Sequence, residues 1–245
     1  MPATPLLLLS GLLCDRTVWE PQIAAFGSSR AIVVPDFRGL DSFEALAEAA
    51  LAGHSMGGRV ALEVMRRAPE RVERLALLST GVHPVQPDEV GPRRELVALA
   101  EREGMKALVR AWLPPMLHPR HRGDAALVGA IEAMWCRAMP GIFARQIHAA
   151  LTRRDLTVVL PAIACPTLVL CGADDIWSPP AQHEQIAAAI AGARLAIIPE
   201  CGHMATLEAP DAVNAELRRW LCAQSPANPA PAEFPARREL RETGQ

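Results

Sequence analysis

Six consecutive residues, Gly53-His54-Ser55-Met56-Gly57-Gly58, constrain the fold of this chain more than any other feature. They follow the apolar pair Leu51-Ala52 and precede the helical pattern Arg59-Val60-Ala61-Leu62-Glu63-Val64. A chain that passes from a strand straight into a helix turns at one apex residue. Its neighbours two before and two after must be small, because the backbones crowd there. Gly53 and Gly57 meet that demand around Ser55. Serine at such an apex has its Oγ lifted clear of the sheet, and the helix that follows presents unpaired N–H groups to negative charge.

Short apolar runs alternate with helical patterns on both sides of this turn. Leu6 to Ser10, Ala31 to Pro35, Leu75 to Ser79, Thr167 to Cys171 and Leu195 to Pro199 read as strands, and their unbroken apolar character suits strands buried on both faces. Arg59 to Arg67, Pro180 to Ala191 and Pro210 to Cys222 read as helices between or after them. The pattern predicts an α/β fold with a mostly parallel, doubly wound sheet, and 245 residues suit one such domain. From 83 to 151 the rhythm breaks into helices over Arg94–Glu103, Lys106–Trp112, Ala125–Ala138 and Ile142–Leu151. A helical insertion between parallel strands lies over the carboxyl edge of the sheet, where ligands bind. The expected organisation is a core of 1–82 and 152–222, a helical cap of 83–151, and a proline-rich, disordered tail of 223–245.

A serine hydroxyl is a weak nucleophile until a base takes its proton, so Ser55 calls for a histidine oriented by a carboxylate. Two loops offer them. Gly172-Ala173-Asp174-Asp175-Ile176-Trp177-Ser178-Pro179 follows one strand, and Glu200-Cys201-Gly202-His203-Met204 follows the next. Ser55, an aspartate (Asp175, with Asp174 as its rival) and His203 therefore come in the order nucleophile, acid, base. His54 reads as a packing residue, since adjacency in sequence directs its side chain away from Ser55. His83, His118, His121, His148 and His183 read as isolated surface or cap residues. Trp19, Trp112, Trp135 and Trp177 read as packing residues, with pocket lining as their other use.

Composition narrows the partners. Half the residues are apolar and 21% are charged, which excludes a disordered chain. The 25 Lys+Arg against 27 Asp+Glu leave no basic field to hold nucleic acid or an anionic membrane, and no run approaches a membrane span of about 20 apolar residues. The six cysteines are dispersed, with no CxxC pair or zinc spacing, and read as small buried residues with reduced thiols. The first basic residue is Arg16, so the charged front of a secretory leader is missing and a cytoplasmic protein is expected. Residues 91–150 carry nine Lys/Arg against five Asp/Glu. Arg93, Arg94, Arg102, Lys106 and Arg110 would attract an acidic substrate or an acidic carrier protein, and they read equally as a solvated helical face.

With these loops in this order the chain resembles the α/β-hydrolase superfamily from Leu6 to about Leu221. Within it the chain is most similar to small carboxylesterases with a helical cap, including methyl esterases acting on acyl-carrier-bound pimelate. The resemblance implies an oxyanion loop over Leu9-Ser10-Gly11-Leu12-Leu13, with Ser10 where relatives often carry His. It implies the backbone N–H groups of Leu12 and Met56 as oxyanion donors, and Asp175 as the acid because that residue falls three after Gly172. The implied activity is hydrolysis of a small-molecule carboxylic ester through an acyl-enzyme on Ser55, with no metal or organic cofactor. The same three residues would serve C–C bond or lactone hydrolysis, perhydrolysis or acyl transfer, whereas dehalogenase or epoxide-hydrolase chemistry would demand Asp at position 55.

One segment departs from the family's pattern. Between Pro35 and Gly53 only Asp36 to Ala52 are available for a loop, a crossover helix, a turn and the strand feeding Ser55. Ser42 to Ala50 would form a helix about 13 Å long, leaving Leu51 and Ala52 as nearly the whole strand. The segment is about ten residues shorter than such a crossover needs. If that shortfall displaced Ser55, the chain would be a non-catalytic ligand-binding protein on the same scaffold.

Overall fold

The computed structural model describes residues 4–35 and 49–223. Six strands form one sheet: β1 (Leu6–Leu9), β2 (Ile32–Val33), β3 (Ala49–His54), β4 (Val72–Leu78), β5 (Thr167–Gly172) and β6 (Arg194–Ile198). Their spatial order is β2-β1-β3-β4-β5-β6, and every pairing is parallel. Successive side chains of a strand point to opposite faces, and the apolar runs serve both. Leu6, Leu8, Ala50 and Ala52 meet Phe26 of α1 (Glu20–Phe26) and Leu217 of α9 (Pro210–Cys222) on one face. Leu7, Leu9 and Leu51 meet Leu62 and Met65 of α2 (Met56–Arg67) and Ile186 of α7 (Pro180–Ala189) on the other. Burying one such leucine fully contributes about 1.5–3 kcal/mol, so the continuous runs hold both helical layers to the sheet.

The strand before Ser55 is longer than its residues suggest. Ala49 and Ala50, expected to end a helix, belong to β3, where Ala50 lies beside Leu6 of β1 and Arg74 of β4. An interior strand gains a hydrogen-bonded ladder on each side, and that outweighs the helix preference of alanine. Residues 42–48 of the expected helix, most of the short segment 36–52, and the tail from 224 onward lie outside the described residues.

Between β4 and β5 the chain makes four helices, α3 (Pro87–Glu103), α4 (Met105–Trp112), α5 (Ala125–Cys136) and α6 (Pro140–Leu151). Pro87 opens α3, and Gly104, at φ 82°, lets the chain turn directly into α4. Leu108, Trp112, Ile131, Trp135, Phe143 and Ile147 are buried in the cluster that contains Leu6 and Leu8. The Trp112 ring sits 5.3 Å from both Trp135 and Phe143, so the insertion is knit by aromatic contacts. The cysteines divide: Cys171 and Cys201 are buried, Cys14, Cys136 and Cys165 are half-buried, and Cys222 is exposed at the end of α9, where the chain leaves the core. Uniform burial was expected of them and does not hold. Among the described residues no single helix is long and apolar enough to cross a membrane.

Candidate active site

Ser55 stands between β3 and α2 with φ 55° and ψ −117°, a left-handed conformation that costs a non-glycine residue of order 1–3 kcal/mol. The surroundings hold it there. Its N–H donates to the Leu78 carbonyl at 2.9 Å, and the Thr80 hydroxyl donates to its carbonyl at 2.7 Å. The flanking glycines have no alternative: a Cβ on Gly57 would lie 2.1 Å from the Leu9 carbonyl oxygen, and one on Gly53 would lie 2.4 Å from that of Gly57. Leu13, Ser79 and Glu200 share the left-handed region, each just after β1, β4 or β6. Backbone strain is thus gathered at the carboxyl edge of the sheet.

The three loops meet at that edge. Asp175 accepts from the N–H groups of Trp177 (3.0 Å) and Ser178 (2.9 Å) on Oδ1 and from the Ser178 hydroxyl (3.0 Å) on Oδ2. His203 Nδ1 lies 3.0 and 2.9 Å from the two carboxylate oxygens. Facing only acceptors there, Nδ1 carries the proton and donates, which leaves the Nε2 lone pair to accept from the Ser55 hydroxyl at 3.0 Å. Burial alone would raise the Asp175 pKa, but the adjacent imidazole and the hydrogen bonds from His203 and Ser178 hold it well below the usual carboxylate range. Asp174, its rival, is exposed and lies 3.7 Å from His118.

Two other histidines support this arrangement. His183, expected at the surface, is buried on α7, where its Nε2 accepts from the Thr80 N–H (3.1 Å) and its Nδ1 donates to the Pro179 carbonyl (3.2 Å). It thereby steadies the residue that holds Ser55. Helical periodicity at α7 is weak, so nothing in the sequence marked that position as inward.

His54 packs beside the turn, as its position suggests, and its Nε2 donates to the His203 carbonyl at 2.9 Å. Burial, and then the neighbouring His203, pushes the His54 pKa down from 6.5 to about 4. An unfolded chain therefore binds this proton more readily than the folded one between those values, so stability falls as pH drops through the window and is whole above it. His54 alone accounts for about 3 kcal/mol of that loss. In His54→Gln, whose amide still donates to His203, urea unfolding at pH 7, 5.5 and 4.5 is expected to show a smaller acid-induced loss than wild type. An unchanged loss would show that His54 is not its source.

The loop after β1 faces Ser55. Gly11 approaches so closely that a Cβ there would lie 3.1 Å from the Ser55 Cβ. Ser10 is buried and donates to the Asp15 carbonyl (3.2 Å). Leu13 N–H donates to the Gln146 side chain of α6 (3.0 Å), and Asp15 pairs with Arg137 (2.8 Å). Among the described residues no hydrogen bond uses the N–H of Leu12 or of Met56. The site opens into a cavity of about 1020 Å³, whose walls include Leu12, Trp112, Met116, Trp135 and Trp177. Trp19 is instead buried, with His54 edge-on to its ring at 6.4 Å. Of the five cap cations singled out by sequence, Arg93 reaches the cavity, where it pairs with Glu89 (2.8 Å), while Arg94, Arg102, Lys106 and Arg110 are exposed.

Known proteins share this arrangement of elements. The model of the alpha/beta hydrolase family matches residues 6–216. A putative non-heme bromoperoxidase, BpoC, of Mycobacterium tuberculosis is 31% identical over 240 residues, covering 89% of this chain and 86% of that protein. A thermophilic esterase from Thermogutta terrifontis superposes with a TM-score of 0.81 at 29% identity, covering 89% of each chain. The enol-lactonase from Burkholderia xenovorans superposes at 0.80 with 27% identity, covering 90% of this chain and 92% of its own.

Proposed function

We propose that this chain, which belongs to the alpha/beta hydrolase family, cleaves the carboxylic ester of a small or medium acyl group through an acyl-enzyme on Ser55. One observation carries the reading: a hydroxyl, an imidazole and a buried carboxylate stand in line, 3.0 and 2.9 Å apart, with the hydroxyl open to a cavity. Ser55 Oγ attacks the ester carbonyl as its proton passes to His203 Nε2. Asp175, kept ionised, fixes the Nδ1–H tautomer and stabilises the imidazolium that forms. The negative charge on the tetrahedral oxygen falls to the N–H groups of Leu12 and Met56, each donor typically contributing about 3–4 kcal/mol. His203 then returns the proton to the leaving alcohol. A water molecule attacks the acyl-enzyme by the same route, which releases the acid and restores Ser55.

The spacing of the three groups supports catalysis over the non-catalytic binding reading, because the ladder on both sides of β3 holds Ser55 within reach of His203 whatever the length of the preceding segment. A second reading has one observation in its favour. The likeness to an enol-lactonase supports a lactone, an internal ester, as the bond cleaved. C–C bond hydrolysis, perhydrolysis and acyl transfer use the same groups and differ in what the cavity admits. The exposure of four of the five cations fits the solvated-face reading of that charge and equally a surface that an acidic carrier protein could meet. A fluorophosphonate probe tests the proposal. The wild-type protein is expected to be labelled stoichiometrically at Ser55, as shown by peptide mapping. Folded protein that resists labelling would sustain the binding reading instead.

A further inference from the structure

Behind His203 lies a carboxylate that the proposed chemistry does not use. Glu208 ends the short helix α8 (Ala205–Glu208), and its side chain is 0% exposed. A carboxylate is costly to bury unless donors meet its oxygens, and four do so here. Oε1 accepts from the N–H groups of Gly202 and Met204, both at 3.1 Å, the residues on either side of His203. Oε2 accepts from the His118 N–H at 2.8 Å and from His121 Nδ1 at 3.0 Å. Those two residues belong to the turn between α4 and α5 of the insertion.

The same seam is closed at two more points. His203 N–H donates to the Met116 carbonyl at 2.7 Å, and Gly202 lies so close to this turn that a Cβ would fall 2.4 Å from that oxygen. With His54 on its carbonyl, the backbone of His203 is held from three directions, and among the described residues Glu208 is the one group that spans both neighbours of His203 and the insertion together.

We propose that Glu208 is a positioning residue: its carboxylate sets where His203 presents Nε2 to Ser55, and it makes the 118–121 turn of the insertion part of the seat of that histidine. The proposal rests on the reading of Ser55 and His203 as the reacting pair. Its physical basis is leverage. Two bonds accepted by one oxygen straddle the residue that carries the ring, so their loss shifts the ring itself, and a misplacement of about 1 Å at a reacting group costs about a hundredfold in rate.

The test compares wild type, Glu208→Ala, Glu208→Gln and Glu208→Asp in four measurements. These are the rate of fluorophosphonate labelling, kcat and KM for a short-chain aryl ester, the low-field proton resonance of the His203 Nδ1–H···Asp175 bond, and the melting temperature. Glu208→Ala is expected to lower kcat and the labelling rate about a hundredfold, leave KM within about threefold, and move the resonance. Glu208→Gln is expected to keep kcat within about tenfold of wild type, because its carbonyl oxygen still accepts from Gly202 and Met204; of the two contacts at Oε2, the His118 N–H loses its acceptor and His121 Nδ1 can accept from the new amide. Glu208→Ala that melts above the assay temperature and labels at the wild-type rate overturns the proposal. An equal loss in the alanine and glutamine variants with the resonance unmoved does so too. If the alanine variant does not fold, Glu208→Asp takes its place: it withdraws the carboxylate by one methylene, about 1.5 Å, and a wild-type rate there is equally fatal. Wild-type protein that is inert and unlabelled would overturn the underlying Ser55 reading instead, so the two failures are distinct.

Discussion

Ser55→Ala is expected to lower kcat for ester hydrolysis by about 10⁴- to 10⁶-fold while leaving KM and the unfolding free energy close to wild type. The separation of effects follows from the local geometry. Alanine keeps the Cβ, so the backbone at φ 55° is no more strained than before, and the bonds from the Ser55 N–H and to its carbonyl do not involve the side chain. The change removes one hydroxyl and one hydrogen bond, the 3.0 Å contact with His203. The walls of the cavity stay in place, so substrate should still bind. The check is to measure kcat, KM and urea unfolding on the same preparations, using a panel of aryl and methyl esters of increasing acyl length. A substrate preference and rate that survive the substitution would mean that another residue carries the reaction.

The outline of the fold was legible because an interior parallel strand needs apolar side chains on both faces, and the run of four leucines Leu6 to Leu9 supplies them. The candidate site was legible for a related reason. The turn at Ser55 demands small residues at fixed offsets, and the carboxylate and imidazole had to follow strands to reach the same edge. What escaped was set by contacts distant in sequence. Ala49 and Ala50 look helical beside Ala47 and are strand because β1 and β4 flank them. The left-handed backbone of Leu13 has no local mark, since leucine does not favour it. It is stabilised by Gln146, more than a hundred residues away.

The supporting polar residues were illegible in the same way. His183 and Glu208 are buried through partners that lie across the molecule, Thr80 for the first and the 118–121 turn for the second. A glutamate in a sequence reads as surface by default, and only the four donors around Glu208 make its burial tolerable. The cysteines err in the opposite sense. Cys222 reads as a small apolar residue and is exposed because it closes α9 at the edge of the core.

Asp175→Asn is expected to lower kcat about 10⁴-fold with little change in KM, and it decides between the two adjacent aspartates. Every group around the Asp175 carboxylate is a donor or can be one: the N–H of Trp177, the N–H and hydroxyl of Ser178, and His203 Nδ1. The two peptide N–H groups both point at Oδ1, so asparagine must place its carbonyl there and its NH₂ where Oδ2 was. The Ser178 hydroxyl can rotate to accept from that amide. His203 cannot answer by rotation. Its Nδ1 keeps the carbonyl at the Oδ1 position, 3.0 Å away, but meets the NH₂ at the nearer Oδ2 position, 2.9 Å away, and relieving that donor–donor contact favours the tautomer protonated on Nε2, which has no lone pair to take the proton of Ser55. The variant thus keeps its shape and loses its base. Asp174→Asn, by contrast, alters an exposed side chain 3.7 Å from His118 and is expected to stay within about threefold of wild type. Paired kinetic measurements on the two variants give opposite outcomes if the roles are reversed, and a large loss in Asp174→Asn with a small one in Asp175→Asn would move the acid to the neighbouring residue.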